Sequence, residues 1–203
     1  MLFAQARGVG CGASLEAATL AAAIGQASAL PDGCWLSLNV SPAFAISGAL
    51  EAILAGRVRP IVIEVTEHEI VDDYPALRAA ITALGSDVRV AVDDAGAGVA
   101  NFRHIVELRP DFVKLDVSLI GGLDGDLTRQ ALIVGLRMFA RTTGRLLIAE
   151  GVATEAERET LLSLGVRLGQ GFLLGRPADS VGVRLAEQQG PSSTSPGVDS
   201  RSD

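Results

Sequence analysis

Short apolar runs alternate with longer segments of helical spacing along most of the chain. Helices are predicted over 44–55, 74–84, 101–108, 127–143 and 155–164, where apolar residues recur three or four positions apart. The apolar runs are WLSLNV (35–40), PIVIEV (60–65), VRVAVD (88–93), DFVKLD (111–116), RLLIAE (145–150) and VRLGQG (166–171). Strands that alternate with helices of this length are typical of βαβ units and a parallel sheet. The repetition predicts an α/β fold, either a (β/α) barrel or a doubly wound sheet.

The two ends of the chain depart from this alternation. Ser14 is a candidate N-cap for a helix to about Ala29, and the residues before it show no clear pattern. We expect residues 1–34 to be an N-terminal helical segment. Residues 35–187 are expected to form an incomplete TIM-like barrel with about six of the eight strands that closure requires. Residues 188–203 are rich in Ser, Pro and Gly without apolar period, which predicts a disordered tail.

Composition narrows the class of protein mainly by exclusion. The 203 residues are 48% hydrophobic and 4% aromatic, which suits an aliphatic α/β domain. No apolar stretch reaches the roughly 20 residues that span a bilayer, and the N-terminus lacks the basic start of a signal peptide. Two cysteines make no disulfide framework, so a cytoplasmic protein is expected. A net charge of −7 argues against a surface for DNA or RNA.

Each apolar run ends in polar side chains that do not belong in a core. These are Asn39, Glu64 with Glu67, Asp93 with Asp94, Lys114 with Asp116, Glu150, and Gln170. A single residue of this kind is more often a helix cap or half of an ion pair. Lys114, for example, could simply neutralise Asp116. Six such strand ends favour a shared site instead, because a (β/α) barrel brings its strand C-termini to one face.

Several carboxylates in one pocket need cations, because each raises the pKa of the others. Lys114, the single lysine in the sequence, supplies one positive charge, and divalent ions would supply the rest. Carboxylate oxygens and the amides of Asn39 and Gln170 suit magnesium or manganese rather than zinc. Adjacent Asp93 and Asp94 can bridge or divide between two ions about 3.5–4 Å apart, as in two-metal phosphoesterases.

The two histidines are not expected in this site. Neither His68 nor His104 has a second His or Cys at metal-ligand spacing. We therefore expect both at the surface or in loops.

Seven short motifs occur in order between residues 36 and 177. They are LSLNVSP (36–42), IEVTE (63–67), VDDAGAG (92–98), VKLD (113–116), IAEGV (148–152), GQG (169–171) and GRP (175–177). No single motif is decisive, but the ordered set resembles the EAL domain family. The resemblance implies a (β/α)8-like barrel with one antiparallel strand. It also implies hydrolysis of cyclic di-GMP to linear pGpG with two magnesium or manganese ions.

The resemblance implies roles for the residues at the strand ends. Asn39, Glu64 and Asp93 are similar to ligands of the first metal, with Asp93 bridging both metals. Asp94 is similar to a ligand of the second metal, and so is Glu150, directly or through water. Lys114 resembles the lysine that orients or activates the attacking water. The catalytic set implied by the family is therefore Lys114, Glu150 and Asp94.

Further residues are assigned to the pocket and to a loop by the same resemblance. Asp116, Gln170 and Pro177 would complete the substrate pocket. Glu67 resembles the glutamate that anchors the loop after Asp94, and in the family this loop links the metal site to the dimer interface. The resemblance makes a homodimer through this loop one possible assembly, and the sequence itself leaves the oligomeric state open. The loop glycines that permit unusual backbone angles are Gly96 and Gly98.

Three departures from the family pattern leave alternatives open. The strand with the Glu-Ala-Leu tripeptide precedes all of these motifs in the family, and no such tripeptide occurs here. Ala153 follows AEGV where Glu is usual, and the loop reads AGAGVAN rather than FGTGYSS. An active phosphodiesterase would need the missing strand, for example upstream of a misplaced start. The alternatives are a degenerate EAL domain that binds cyclic di-GMP or a protein, and a barrel with unrelated phosphate chemistry.

Overall fold

Six parallel strands form a single sheet whose spatial order follows their order along the chain. The computed structural model describes residues 2–65, 71–95 and 99–177, with the side chains of residues 4, 94–95 and 99–102 outside that description. All six predicted strands are confirmed, with ends that differ by at most two residues. They are β1 (Leu36–Val40), β2 (Ile61–Val65), β3 (Val88–Ala95), β4 (Phe112–Leu115), β5 (Leu146–Ala149) and β6 (Leu168–Gly169).

The strand order decides between the two architectures that the sequence left open. All neighbouring strands pair in parallel, and every connection moves one strand onward. A doubly wound sheet would instead reverse direction at a switch point. Steady progress in one direction is the winding of a (β/α) barrel, so the described strands are six consecutive strands of a barrel-type sheet.

Helices connect the strands and flank the sheet. Helix α8 has the predicted bounds, and α5, α6 and α9 lie within two residues of theirs. In the described residues the helices are α1 (Leu2–Gly8), α2 (Gly12–Gln26), α3 (Pro42–Ile46), α4 (Ala49–Leu54), α5 (Tyr74–Ala83), α6 (Val99–Leu108), α7 (Val117–Ile120), α8 (Leu127–Thr143) and α9 (Glu155–Ser163). None of them is long and apolar enough to cross a membrane.

Three helical predictions need correction. The residues before Ser14 form helix α1, and Ser14 itself lies inside α2, whose N-cap position is Cys11. The helix predicted over 44–55 is two helices, because Gly48 interrupts it with a left-handed φ of 80°. The short helix α7 was not predicted, since one turn is too short to show a period.

The main core lies between one face of the sheet and the helices. Alternate strand residues such as Leu38, Ile63 and Leu115 point into it and belong to one cluster with Leu77 of α5 and Ile133 of α8. Burial of each such side chain contributes on the order of 2 kcal/mol. This core covers one face of the sheet, and a separate set of side chains lies on the opposite face.

The predicted domain boundaries stay predictions. The tail over 188–203 and the end of the barrel domain at residue 187 lie outside the described residues. Helices α1 and α2 occupy much of the segment 1–34, as a helical segment would.

Candidate active site

The sheet face turned away from the main core bears an apolar layer followed by a polar layer. Val62, Ala91 and Phe112 form the apolar layer, with Ile148 and Leu168 packed against them. Since side chains alternate along a strand, residues two positions further on share this face. These positions are polar on every one of the five strands: Glu64, Asp93, Lys114, Glu150 and Gln170. With Asn39 of β1, these residues are the polar layer.

Strand register brings the polar layer together. Asn39 is directly opposite Glu64 in the β1–β2 ladder. The ladder between β3 and β4 shifts register between Val92 and Ala95, where Asp93 and Asp94 lie. Such irregularities redirect side chains and are frequent next to functional sites. The strand ends that the sequence singled out therefore do meet at one edge of the sheet.

Lys114 contacts three carboxylates of the polar layer at once. Its Nζ lies 2.9 Å from Glu64 Oε2, 2.9 Å from Asp93 Oδ1 and 2.7 Å from Glu150 Oε1. The lysine side chain is 4% exposed. Burial lowers the pKa of Lys114, but the hydrogen bonds to the three carboxylates outweigh it and hold the pKa above its ordinary value. Lys114 is therefore an ammonium group that donates hydrogen bonds and accepts none.

Burial and neighbouring charges change the acidity of the Glu150 carboxyl group. Burial raises the pKa of Glu150 to about 7, against the opposing effect of Lys114. Gln170 Nε2 donates a hydrogen bond of 2.5 Å to Glu150 Oε1. On β2, Glu64 Oε1 accepts a hydrogen bond from Ser37 Oγ. Neighbouring side chains thus fix the orientation of two of the three carboxylates.

The charges and donor atoms of the polar layer suit a hard divalent cation. Three carboxylates and one ammonium leave a charge of −2 when all are ionised, and every available ligand atom is an oxygen. In the parts of the chain that the structure describes, no three His, Cys, Asp or Glu side chains form a metal site by themselves. The carboxylates bind the Lys114 ammonium instead, so they would turn partly away from it to share an ion.

The other predicted site residues have varied positions. Asp116 caps α7 and accepts a hydrogen bond of 2.9 Å from the Ser118 amide. Pro177 is exposed at the end of the last described segment. Asn39 is exposed and lines a cleft of about 600 Å³. The predicted residues outside the described chain, or with the side chain outside it, are Glu67, Gly96, Gly98 and Asp94.

Sequence reasoning missed two contributors to the site. Ser37 binds Glu64, and Phe112 lies directly below Lys114 in the apolar layer with its ring 5.7 Å from that of Trp35. The signal was present, since Ser37 and Phe112 stand two positions before Asn39 and Lys114 on their strands.

The prediction that His104 lies at the surface is wrong. The side chain is buried in α6, and its Nδ1 lies 2.8 Å from the hydroxyl of Tyr74 in α5. A tyrosine hydroxyl on the neighbouring helix satisfies a ring nitrogen that would otherwise need water. His68 lies outside the described residues.

The chain belongs to the EAL domain family, whose profile matches residues 2–177. It is 31% identical over 144 residues to the bifunctional diguanylate cyclase/cyclic di-GMP phosphodiesterase MucR of Pseudomonas aeruginosa, covering 70% of this chain and 21% of MucR. It is 28% identical over 156 residues to the cyclic di-GMP phosphodiesterase PdeL of Escherichia coli, covering 73% of this chain and 43% of PdeL. The chain thus spans less than half the length of either relative.

Solved EAL structures share the fold. The EAL domain of Mycobacterium smegmatis DcpA superposes with a TM-score of 0.70 at 30% identity, covering 79% of this chain and 78% of that one. Klebsiella pneumoniae BlrP1, in a manganese/cyclic di-GMP complex, superposes with a TM-score of 0.72 at 32% identity, covering 82% of this chain and 45% of BlrP1. The predicted family and barrel-type fold are therefore confirmed.

Proposed function

We propose that this chain is the EAL domain of a cyclic di-GMP phosphodiesterase that hydrolyses cyclic di-GMP to linear pGpG. The observation behind this proposal is the contact of Lys114 with Glu64, Asp93 and Glu150 on one face of a barrel-type sheet. The names of the relatives MucR and PdeL, and the ligand in the BlrP1 complex, support the choice of substrate.

We assign the polar layer as the metal-binding part of the site. Asn39, Glu64 and Asp93 would hold one magnesium or manganese ion, and Asp93, Asp94 and Glu150 a second. Metal ions in such a site lower the pKa of bound water and stabilise charge on the phosphate oxygens. The manganese and calcium complexes of BlrP1 support a divalent cation.

Lys114 acts in this proposal as a positioning and charge-stabilising donor. Its contacts with three carboxylates hold its pKa above the ordinary value, which keeps it an ammonium group suited to donate hydrogen bonds. An ammonium with three donors can instead hold a carboxylate, a water molecule and a phosphate oxygen in fixed relation. The family resemblance implied that Lys114 either orients or activates the attacking water. A protonated Lys114 favours the first of these two roles.

Glu150 is suited to orient a metal ion or the water bound to it. Lys114 and Gln170 both contact its Oε1, so the carboxylate would hold the second ion directly or through a water molecule. The hydrogen bond from Gln170 helps to keep Glu150 Oε1 directed at Lys114. Asp116 and Pro177 are proposed to border the substrate. The apolar layer beneath, which includes Phe112, keeps water away from the lower side of the cluster.

The test is turnover by the purified protein. Cyclic di-GMP is incubated with Mn²⁺, and pGpG is separated by ion-pair chromatography. Wild type is expected to form pGpG until EDTA is added. Asp93→Asn should lower kcat by roughly a hundredfold or more because it weakens the metal site. Asp126→Asn is the matched control, since the described contacts of the Asp126 side chain are with Thr128 and Arg129 at the start of α8, and asparagine is also a good N-cap, so kcat should be unchanged.

Two outcomes would contradict the proposal. Binding of cyclic di-GMP without pGpG at any Mn²⁺ or Mg²⁺ concentration would identify a non-catalytic receptor. Equal turnover by wild type and Asp93→Asn would show that the polar layer is not the catalytic site.

We further propose that the chain acts in the cytoplasm as a homodimer through the loop after Asp94, as the family resemblance implies. Light scattering coupled to size-exclusion chromatography tests this assembly. A mass of one chain, 21.0 kDa, at every concentration up to 100-fold above the working range would contradict it.

A further inference from the structure

Four arginines line a small cleft at the end of the sheet opposite to the polar layer. Arg137 and Arg141 belong to α8, Arg145 precedes β5, and Arg167 precedes β6. The cleft has a volume of about 200 Å³. It lies at the amino-terminal ends of β5 and β6, whereas the polar layer lies at the carboxyl ends of the parallel strands. We call it the arginine cleft.

No acidic residue borders the arginine cleft among the described residues. Its other lining residues are small or apolar: Ala140, Leu146, Leu147, Gly165, Val166 and Leu168. Within the described part of the chain, Arg141, Arg145 and Arg167 form no ion pair with a carboxylate. This contrasts with Arg57, which binds both oxygens of Asp87.

The backbone holds one of these arginines in place. Arg137 Nε donates a hydrogen bond of 3.2 Å to the Gly165 carbonyl. Gly165 has a φ of 80°, and a Cβ there would lie 2.2 Å from Arg137 Nε, so the guanidinium lies directly against the glycine. Gly144, with a φ of 71°, ends α8 and is followed at once by Arg145. Ordering of part of the cleft before any ligand arrives reduces the entropy lost on binding.

Helix dipoles do not account for so much positive charge. Helices α8 and α9 both end near the cleft, and the carboxyl end of each is equivalent to roughly half a negative charge. Two helix ends therefore offset about one of the four positive charges. An excess of about three charges remains, in a chain whose net charge is −7.

We propose that the arginine cleft binds the diphosphate group of a small ligand. Two phosphate groups carry roughly three to four negative charges at neutral pH, which matches the excess. Planar guanidinium groups bind phosphate oxygens in pairs, and a volume of about 200 Å³ suits a compact anion. This site is separate from the proposed phosphodiesterase site, so either can fail without the other.

The experiment is calorimetric titration of the full chain with inorganic pyrophosphate in buffer that contains EDTA. Wild type is expected to bind one pyrophosphate saturably. The double variant Arg141→Gln/Arg145→Gln should raise Kd by about a hundredfold, on the order of tenfold for each lost charged hydrogen-bonding group. The matched control is Arg129→Gln/Arg158→Gln, which changes the net charge equally at two exposed ion pairs and should leave Kd unchanged within about twofold.

Further measurements distinguish the arginine cleft from the polar layer, and a small anion from a phosphate-rich macromolecule. Lys114→Met, titrated at a temperature where circular dichroism shows it folded, should bind pyrophosphate as wild type does. Loss of binding by the folded variant would place the anion in the polar layer and overturn the inference. Absence of saturable binding to wild type, or equal weakening in both double variants, would also overturn it. Binding of phosphatidylglycerol vesicles or a single-stranded oligonucleotide, without binding of pyrophosphate, would show a macromolecular surface instead and equally end the proposal.

Discussion

Replacement of Lys114 by methionine removes the ammonium from the polar layer and keeps a side chain of similar length. Glu64, Asp93 and Glu150 then face one another without the cation that each of them binds at 2.7–2.9 Å. Their mutual repulsion is no longer offset, so we expect the folded state to lose stability at neutral pH.

The size of this loss follows from the burial of the lysine. Its side chain is 4% exposed, and removal of one partner from a buried ion pair costs about 3–5 kcal/mol. For a chain of this size, this lowers Tm by roughly 6–20 °C. Lys114 normally lowers the pKa of Glu150, so the variant should raise that pKa further. When the folded-state pKa of Glu150 lies above its unfolded-state pKa, stability falls as pH rises from the lower of these values to the higher. The stability that Lys114→Met loses relative to wild type should therefore be larger at pH 8 than at pH 5.

Thermal unfolding followed by circular dichroism at both pH values, in EDTA, measures this effect. Addition of Mn²⁺ should restore more stability to Lys114→Met than to wild type, because a metal ion can replace the ammonium. Arg158→Met removes an exposed ion pair with Glu155 and should change Tm by little. If Lys114→Met unfolded within about 2 °C of wild type at both pH values, the electrostatic role assigned to Lys114 would be refuted.

Three other predictions test the surroundings of the site. The Phe112 side chain is 1% exposed, so Phe112→Ala should lower the free energy of unfolding in urea by about 3–5 kcal/mol. A decrease below about 1 kcal/mol would contradict its packing role. Burial raises the pKa of Glu157, but backbone hydrogen bonds, the first from Gly122, outweigh it and hold that pKa below its ordinary value. Its stabilisation is therefore present above the unfolded pKa and lost as pH falls, and Glu157→Gln should flatten the acid side of a Tm–pH profile. Gly151→Ala should lower Tm measurably and reduce turnover, because its φ is 69° and a Cβ would lie 2.4 Å from Val117.

Regular elements could be predicted from the sequence because local pattern and tertiary role agree in them. Strand β2 is buried along its whole length, and α8 has a capping Asp126 and a terminal Gly144, so their bounds were predicted within one residue. Helix α1 has no such cap signals in its first turn, and the break at Gly48 depends on one left-handed residue. Neither feature has a period that could reveal it.

The polar strand ends could be found in the sequence, but their contacts could not. The polar strand ends were visible because carboxylates and a lysine interrupt otherwise apolar runs. Which carboxylates bind Lys114 depends on strand register and on the shift at Val92, which sequence spacing does not give. Burial of His104 likewise depends on the position of Tyr74 in a neighbouring helix.

Binding of Mn²⁺ to the polar layer is the most direct test of this account. A titration followed by electron paramagnetic resonance of free Mn²⁺ compares wild type with Asp93→Asn, Glu150→Gln and the control Asp126→Asn. Saturable binding by wild type and the control, weakened at least tenfold in the other two variants, is the predicted result. Equal Mn²⁺ affinity in all four proteins would contradict the account.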